Sequence, residues 1–216
     1  MTESNMADGL YKTLQNKIKS EPSNPYHYSD LAMLYWQVDE EVELAQQTFE
    51  AGLAAVPNDL GLKGEYAYFL GKSGRDVPKA RQVFADLVSA PGVGSHTLSQ
   101  AAEFFWQAVG DLEIADALYS QAVAKDRDDE ILRGHYADFL WRGMGNGPKA
   151  KAVFSQAFKI DQIDDEAILA AFATFLWQSE NEIELAAKYF KQAIDEEPEQ
   201  EWIYETYAEF KDATGR

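Results

Sequence analysis

The 216-residue chain is predicted to be all-α, a stack of helical hairpins, on three observations. First, one alanine recurs as Ala32, Ala67, Ala102, Ala137, Ala173 and Ala208, at steps of 35, 35, 35, 36 and 35. Second, another alanine follows thirteen residues after each of the first five, at Ala45, Ala80, Ala115, Ala150 and Ala186. Third, an aromatic lies four residues beyond each of those, at Phe49, Phe84, Tyr119, Phe154 and Phe190. A fixed period of this length is the mark of a repeat architecture, in which no unit buries its apolar face alone and neighbours must stack.

Within a unit the offsets of three and four mean helix. Around each first alanine the apolar set falls at minus one, zero, plus two and plus three, as in Tyr136, Ala137, Phe139 and Leu140. In the second half, alanine, aromatic and a mostly small residue (Gly52, Leu87, Ala122, Ala157, Ala193) share one face at zero, four and seven. Alanine lets the paired helices approach, and the aromatic fills the groove beside them. Polar turns such as Gln37–Glu41 and Gly71–Asp76 separate the halves. Pro78 and Pro148 suit the first turn of second helices, Asp111 suits an N-cap, and Asp128 or Asp129 suits the next one.

Along the chain this gives a disordered N-terminus over 1–5 and an N-terminal half-repeat helix over 6–21, with Leu14 at the aromatic position. Repeats follow over 22–57, 58–92, 93–127, 128–162 and 163–198, and a capping helix over 199–216 has the phase of a first helix. The whole reads as one continuous domain.

Composition narrows the function. No cysteine is present, which removes disulfides, thiolate metal sites and thiol nucleophiles. The formal charge is −18, and residues 161–210 carry fourteen acids against Lys188 and Lys191. Such a surface repels phosphate backbones and anionic membranes and favours basic partners, although the acidic stretch also reads as a solvated face that keeps the chain soluble. No signal peptide or spanning segment is evident, so an intracellular, cytoplasmic protein is expected, with an organelle or the nucleus left open.

Catalysis finds no constellation. His27, His96 and His135 lie in different units with no nucleophile–base spacing. The glycine-rich run 143–147 precedes Pro148 and Lys149 rather than Gly-Lys-Ser/Thr, and aligns with a hairpin turn. The acidic clusters 126–130 and 164–166 lack calcium-loop spacing and suit helix starts. No enzyme, no cofactor and no metal is expected.

Tyr28, Leu31, Ala32, Tyr35, Ala45, Phe49, Gly52 and Pro57 of the first unit, repeated down the chain, resemble the tetratricopeptide repeat over residues 6–213. Each unit is one residue longer than that family's usual length, the extra residue lying in the turn inside the hairpin. Phe-Leu-Trp at 139–141 and 175–177 is similar to the plant and algal group of such repeats. Tyr-Ala-x-Phe at 66–69, 136–139 and 207–210 is similar to the half-a-TPR repeats of RNA-processing scaffolds. Those usually continue with Glu, where this chain has Leu70, Leu140, Leu176 and Lys211.

The resemblance implies a right-handed α-α superhelix of about five hairpins with terminal half-repeats. It also implies a non-enzymatic protein-binding scaffold or adaptor whose first helices line a concave groove. Trp36, Trp106, Trp141 and Trp177 each lie four residues after their alanine. They read either as a ladder of ligand anchors or as packing against the next unit. The groove positions three before and one after the alanine supply Met33, Tyr68, Glu103, Asp138, Thr174, Glu205 and Glu209. The small residues Gly64, Gly134 and Ala170 at the same offsets would leave room for a bulky ligand group. The Lys and Asn of the family's carboxylate clamp are missing there. The expected partner is therefore a basic or amphipathic peptide or helix, with no nucleic acid and no membrane. The alternatives are a self-assembling module, suggested by Trp202, Tyr204 and Tyr207, and an RNA-processing subunit acting through protein contacts.

Overall fold

The structure, a computed structural model, describes residues 3–38, 40–160 and 164–216. These form twelve α-helices, with no strand among the described residues. The chain divides into two compact units, Met1–Val109 and Gly110–Arg216. The first holds α1 (Glu3–Ser20), α2 (Pro25–Gln37), α3 (Val42–Ala55), α4 (Leu60–Lys72), α5 (Val77–Val88) and α6 (Ser95–Phe104). The second holds α7 (Leu112–Lys125), α8 (Glu130–Asp138), α9 (Gly147–Ile160), α10 (Glu166–Gln178), α11 (Ile183–Asp195) and α12 (Glu201–Thr214). Two helices, α6 and α8, run on into π-helical turns at Phe105–Val109 and Phe139–Gly143. The segment 1–5, expected to be disordered, falls partly outside the described residues (1–2), and α1 already runs from Glu3.

Helix starts follow from short polar side chains. The carboxylates of Asp59, Asp76, Asp111, Asp129 and Asp165 accept from the N–H groups of Leu62, Lys79, Ile114, Leu132 and Ile168 at 2.7–3.1 Å. Each satisfies a donor that the helix leaves open and adds negative charge at the positive end of the dipole. Asp129 and Asp165 belong to the two acidic clusters, which are thus helix starts, and of the two candidate caps it is Asp129 that caps α8.

Every hairpin turn contains one left-handed residue: Glu40, Gly74, Gly110, Gly145 and Asn181. Beyond it the chain folds back, and the N–H groups of Glu41, Asp76, Asn146 and Glu182 donate to the carbonyls of Tyr35, Leu70, Leu140 and Leu176. This six-residue closure satisfies a carbonyl of the last helical turn.

The core repeats with the sequence. All five second-series alanines, and Ala32, Ala67, Ala102, Ala137 and Ala173, have no exposed surface. In each unit the second-helix aromatic lies beside a phenylalanine of the following first helix. The pairs Phe49–Phe69, Phe84–Phe104, Tyr119–Phe139, Phe154–Phe175 and Phe190–Phe210 have centroids 5.0–5.4 Å apart. Such offset ring pairs contribute about 0.5–1.5 kcal/mol each beyond the area they bury. Leu14 takes the aromatic position of α1 and is buried. Ala208, on α12, is the exposed member of its series.

Candidate functional site

First helices supply the groove positions, and the two units treat them differently. In the first unit Met33, Trp36, Tyr68 and Trp106 are all half-buried, on α2, α4 and the π turn after α6. Trp36 stands edge-on to Phe69 at 5.3 Å and to Tyr68 at 6.3 Å. Lys72, one turn after Tyr68, lies 5.8 Å over its ring and pairs with Glu103 at 2.7 Å. It also donates to Gln107 at 2.8 Å. Burial pushes the Tyr68 phenol well above its ordinary value, and the neighbouring Glu103 carboxylate adds to the shift. The phenol therefore stays neutral and acts as a hydrogen-bonding group, not as a base.

In the second unit the central first helix, α10, has no open side. Its nine residues Ile168 to Leu176 are all buried, and nine consecutive helical residues point in every direction. Thr174 was expected on the groove wall. It is 3% exposed, and its hydroxyl donates to the Ala170 carbonyl at 2.7 Å, so it offers no surface. On α8, Asp138 pairs with Arg142 at 2.7 Å. The Arg142 guanidinium lies 5.1 Å from the Trp141 ring and 5.9 Å from that of Trp202 on α12. Trp141 and Trp177 repeat the contact of Trp36, standing edge-on to Phe175 and Phe210 at 5.5 and 5.6 Å. Glu205 and Glu209 are exposed on α12.

Two expectations change here. Glu103 and Asp138 do not stand as bare negative charges, because Lys72 and Arg142 neutralise them. The small residues do not leave space either. A Cβ on Gly64 would come within 2.8 Å of Thr97, and one on Gly134 within 2.4 Å of Ile168. Ala170 belongs to one buried cluster with Ile203. In each case a side chain five residues before the next unit's alanine fills the gap, so the small positions serve helix–helix approach.

A recurring polar chain was not anticipated. Tyr66 Oη donates to Glu50 at 2.8 Å and accepts from Lys79 at 3.1 Å. Tyr136 Oη donates to Asp116 at 2.7 Å and accepts from Lys149 at 2.7 Å. Both lysines are held above their ordinary value, chiefly by the tyrosine bond. Glu50 is held below its own, by Gln46 first and then Tyr66. The signal is a Tyr–Lys pair at a separation of thirteen, in the second and fourth repeats only. Among the described residues no group of three or more His, Asp or Glu is placed to hold a metal, and no helix is long and apolar enough to cross a membrane.

The helical chain as a whole superposes on known structures. A tetratricopeptide repeat protein of Parabacteroides merdae superposes with a TM-score of 0.72 at 17% identity, covering 94% of this chain and 77% of its own. A tetratricopeptide protein of Thermus thermophilus does so at 0.70 and 19% identity, over 87% of this chain and 98% of its own. The fold is that of the tetratricopeptide repeat. A third tetratricopeptide repeat structure, YrrB, is described as having an unusual peptide-binding site; it superposes at 0.52 and 15% identity, over 90% of this chain and 97% of its own. No protein-family model and no curated protein matches the sequence. At these identities the likeness is one of fold.

Proposed function

We infer that this tetratricopeptide-fold chain is a non-enzymatic protein-binding scaffold that takes a basic or amphipathic peptide or helix on the first-helix face of its first unit. The observation that carries the reading is the half-open ridge of Met33, Trp36 and Tyr68, bordered by the exposed Asp30 and by Glu65 beside His96, while Glu103 there is already paired with Lys72. An apolar strip rimmed with acid suits the apolar and basic faces of one amphipathic helix. YrrB, with its peptide-binding site on the same fold, supports this class of ligand. The excess of acid over base in the whole chain adds long-range attraction for such a partner.

Trp36, Trp141 and Trp177 already pack against the next repeat, so in this reading only their outer edges meet a ligand. Met33 and Tyr68 carry the contact in the first unit. The proposal for the second unit is narrower: Glu205, Glu209 and the acids around α11 and α12 attract basic segments, and α10 takes no part.

The test is a titration with a labelled 18-residue Leu/Lys amphipathic helix and its Leu/Glu counterpart. Binding of the Leu/Lys helix only, weakened at least tenfold by Met33→Glu in a folded variant, is expected. Equal binding of both helices, or no effect of Met33→Glu, removes the reading.

A second reading, self-assembly, is favoured by the exposure of Trp202 (36%) and Tyr204 (44%) on α12. Sedimentation between 5 and about 100 μM, the range over which weak association appears, separates the two. A monomer throughout removes self-assembly.

A further inference from the structure

On the second-helix side of the first unit lies a cavity of about 560 Å³ between α3, α4 and α5. Its apolar lining includes Leu53, Leu60, Val83 and Leu87, and its polar lining is the Glu50–Tyr66–Lys79 chain together with Lys63 and Asp86. The volume lies in the range of pockets that hold small organic groups. Neither the repeat packing nor the first-helix face uses it.

The equivalent place in the last hairpin explains why it is open. Counted from the repeat alanines, Leu53, Tyr66 and Val83 correspond to Phe158, Phe172 and Tyr189. There three rings fill the space: Phe158 and Phe172 stack at 4.3 Å, and Tyr189 meets both at 5.0 Å. At the junction of the first and second repeats two of those rings are replaced by Leu53 and Val83, and the missing volume is the cavity. One repeat earlier the same positions are Ile18, Leu31 and Thr48, and all three line a cavity of about 340 Å³ there. The other equivalent sets, Val88, Ala101 and Leu118 and then Val123, Tyr136 and Val153, also lack the three rings, so the last hairpin is the one that fills this place with its own aromatics.

We propose that the 560 Å³ cavity is a binding site for an aromatic side chain, phenylalanine or tyrosine, of a partner polypeptide. The ring lies between Leu53 and Val83, where the chain's own Phe158 and Tyr189 lie in the last hairpin. It stacks toward Tyr66, and a tyrosine hydroxyl reaches the Glu50–Lys79 end. The occupant is drawn from protein chemistry because protein side chains fill the equivalent space. This site is separate from the first-helix ridge and stands or falls without it.

The experiment is methyl NMR of the full chain with N-acetylphenylalaninamide, N-acetylleucinamide and toluene. Ring-current shifts confined to the methyls of Leu53, Leu60, Val83 and Leu87 are expected with the phenylalanine compound, and at least tenfold weaker binding of the leucine compound. The variant Leu53→Phe/Val83→Tyr installs the filled arrangement, and is expected to keep or raise Tm while weakening the phenylalanine compound at least tenfold. Should the double variant not fold, Val83→Phe alone is read in the same way. No shifts, shifts that survive filling, or equal shifts with the leucine compound would overturn the aromatic assignment. Binding of toluene without the phenylalanine compound would overturn the polypeptide source.

Discussion

Phe104 stands where a side chain on Gly71 would stand: a Cβ built there would lie 2.5 Å from the ring's Cδ2. In the other first helices that position carries Trp36, Trp106, Trp141 or Trp177. For Trp36, Trp141 and Trp177 the indole leans edge-on against the phenylalanine of the next repeat. At Gly71 there is no indole, and Phe104 of the following repeat lies directly against the glycine. One volume is filled from either side of the junction.

Gly71→Ala is therefore expected to destabilise, although alanine is the better helix former by about 1 kcal/mol. Overpacking a buried ring costs about 1–3 kcal/mol, which outweighs that gain. Phe104→Leu in the Gly71→Ala background is expected to recover part of the loss. Urea unfolding of the three variants checks it, and additive losses would contradict the contact.

Gly134→Ala makes the same case in the second unit, where the new Cβ meets Ile168. A loss of about 2 kcal/mol is expected, within the range for overpacked cores. Substituting Leu132 in place of Ile168 should give no rescue, whereas Ile168→Ala should make Gly134→Ala nearly neutral relative to the Ile168→Ala parent. A double-mutant cycle from denaturant curves reads this directly.

At the hairpin turns, Glu40 and Asn181 adopt φ of 56° where three other turns use glycine. Glu40→Gly removes a left-handed strain of about 1 kcal/mol, and is expected to raise Tm by a few degrees. Gly145→Ala is expected to lower it by a similar amount. An unchanged Tm in both would refute the turn argument.

The Tyr–Lys–acid chains make stability depend on pH at both ends. Glu50 is lowered from its ordinary 4.5 in the folded chain, so its contribution is present above that value and fades as pH falls through the lower folded value. Lys79 and Lys149 are raised from 10.5, so their contribution is complete below that value and fades as pH rises through the higher folded value. Lys149→Met is expected to reduce the loss of Tm above about pH 10.5 while leaving the acid limb unchanged. Thermal melts from pH 3 to pH 11.5 check both signs, at roughly the limits where these groups titrate.

Much of the fold was legible because its causes are local. The alanine–aromatic register fixes which faces meet, and the aspartates before Leu112 and Glu130 mark helix starts by a bond three residues away. The groove was less legible, because groove and packing positions share the same offsets. Gly64 and Gly134 look like open space in the sequence, yet Thr97 and Ile168 from the following repeat fill it. Thr174 differs from Tyr68 at the same offset only through the closure around α10. Lys72 and Arg142, which neutralise Glu103 and Asp138, lie five residues after their repeat alanines, where the other repeats carry Gln37, Gln107 and Gln178, so no repeated charge marks the position.

The first-helix ridge is tested most directly by hydrogen–deuterium exchange of the full chain with and without a saturating Leu/Lys amphipathic helix. Slowed exchange is predicted over Met33–Gln37 and Tyr68–Lys72, with α10 unchanged. Protection confined to other segments, or none at saturation, would contradict the account.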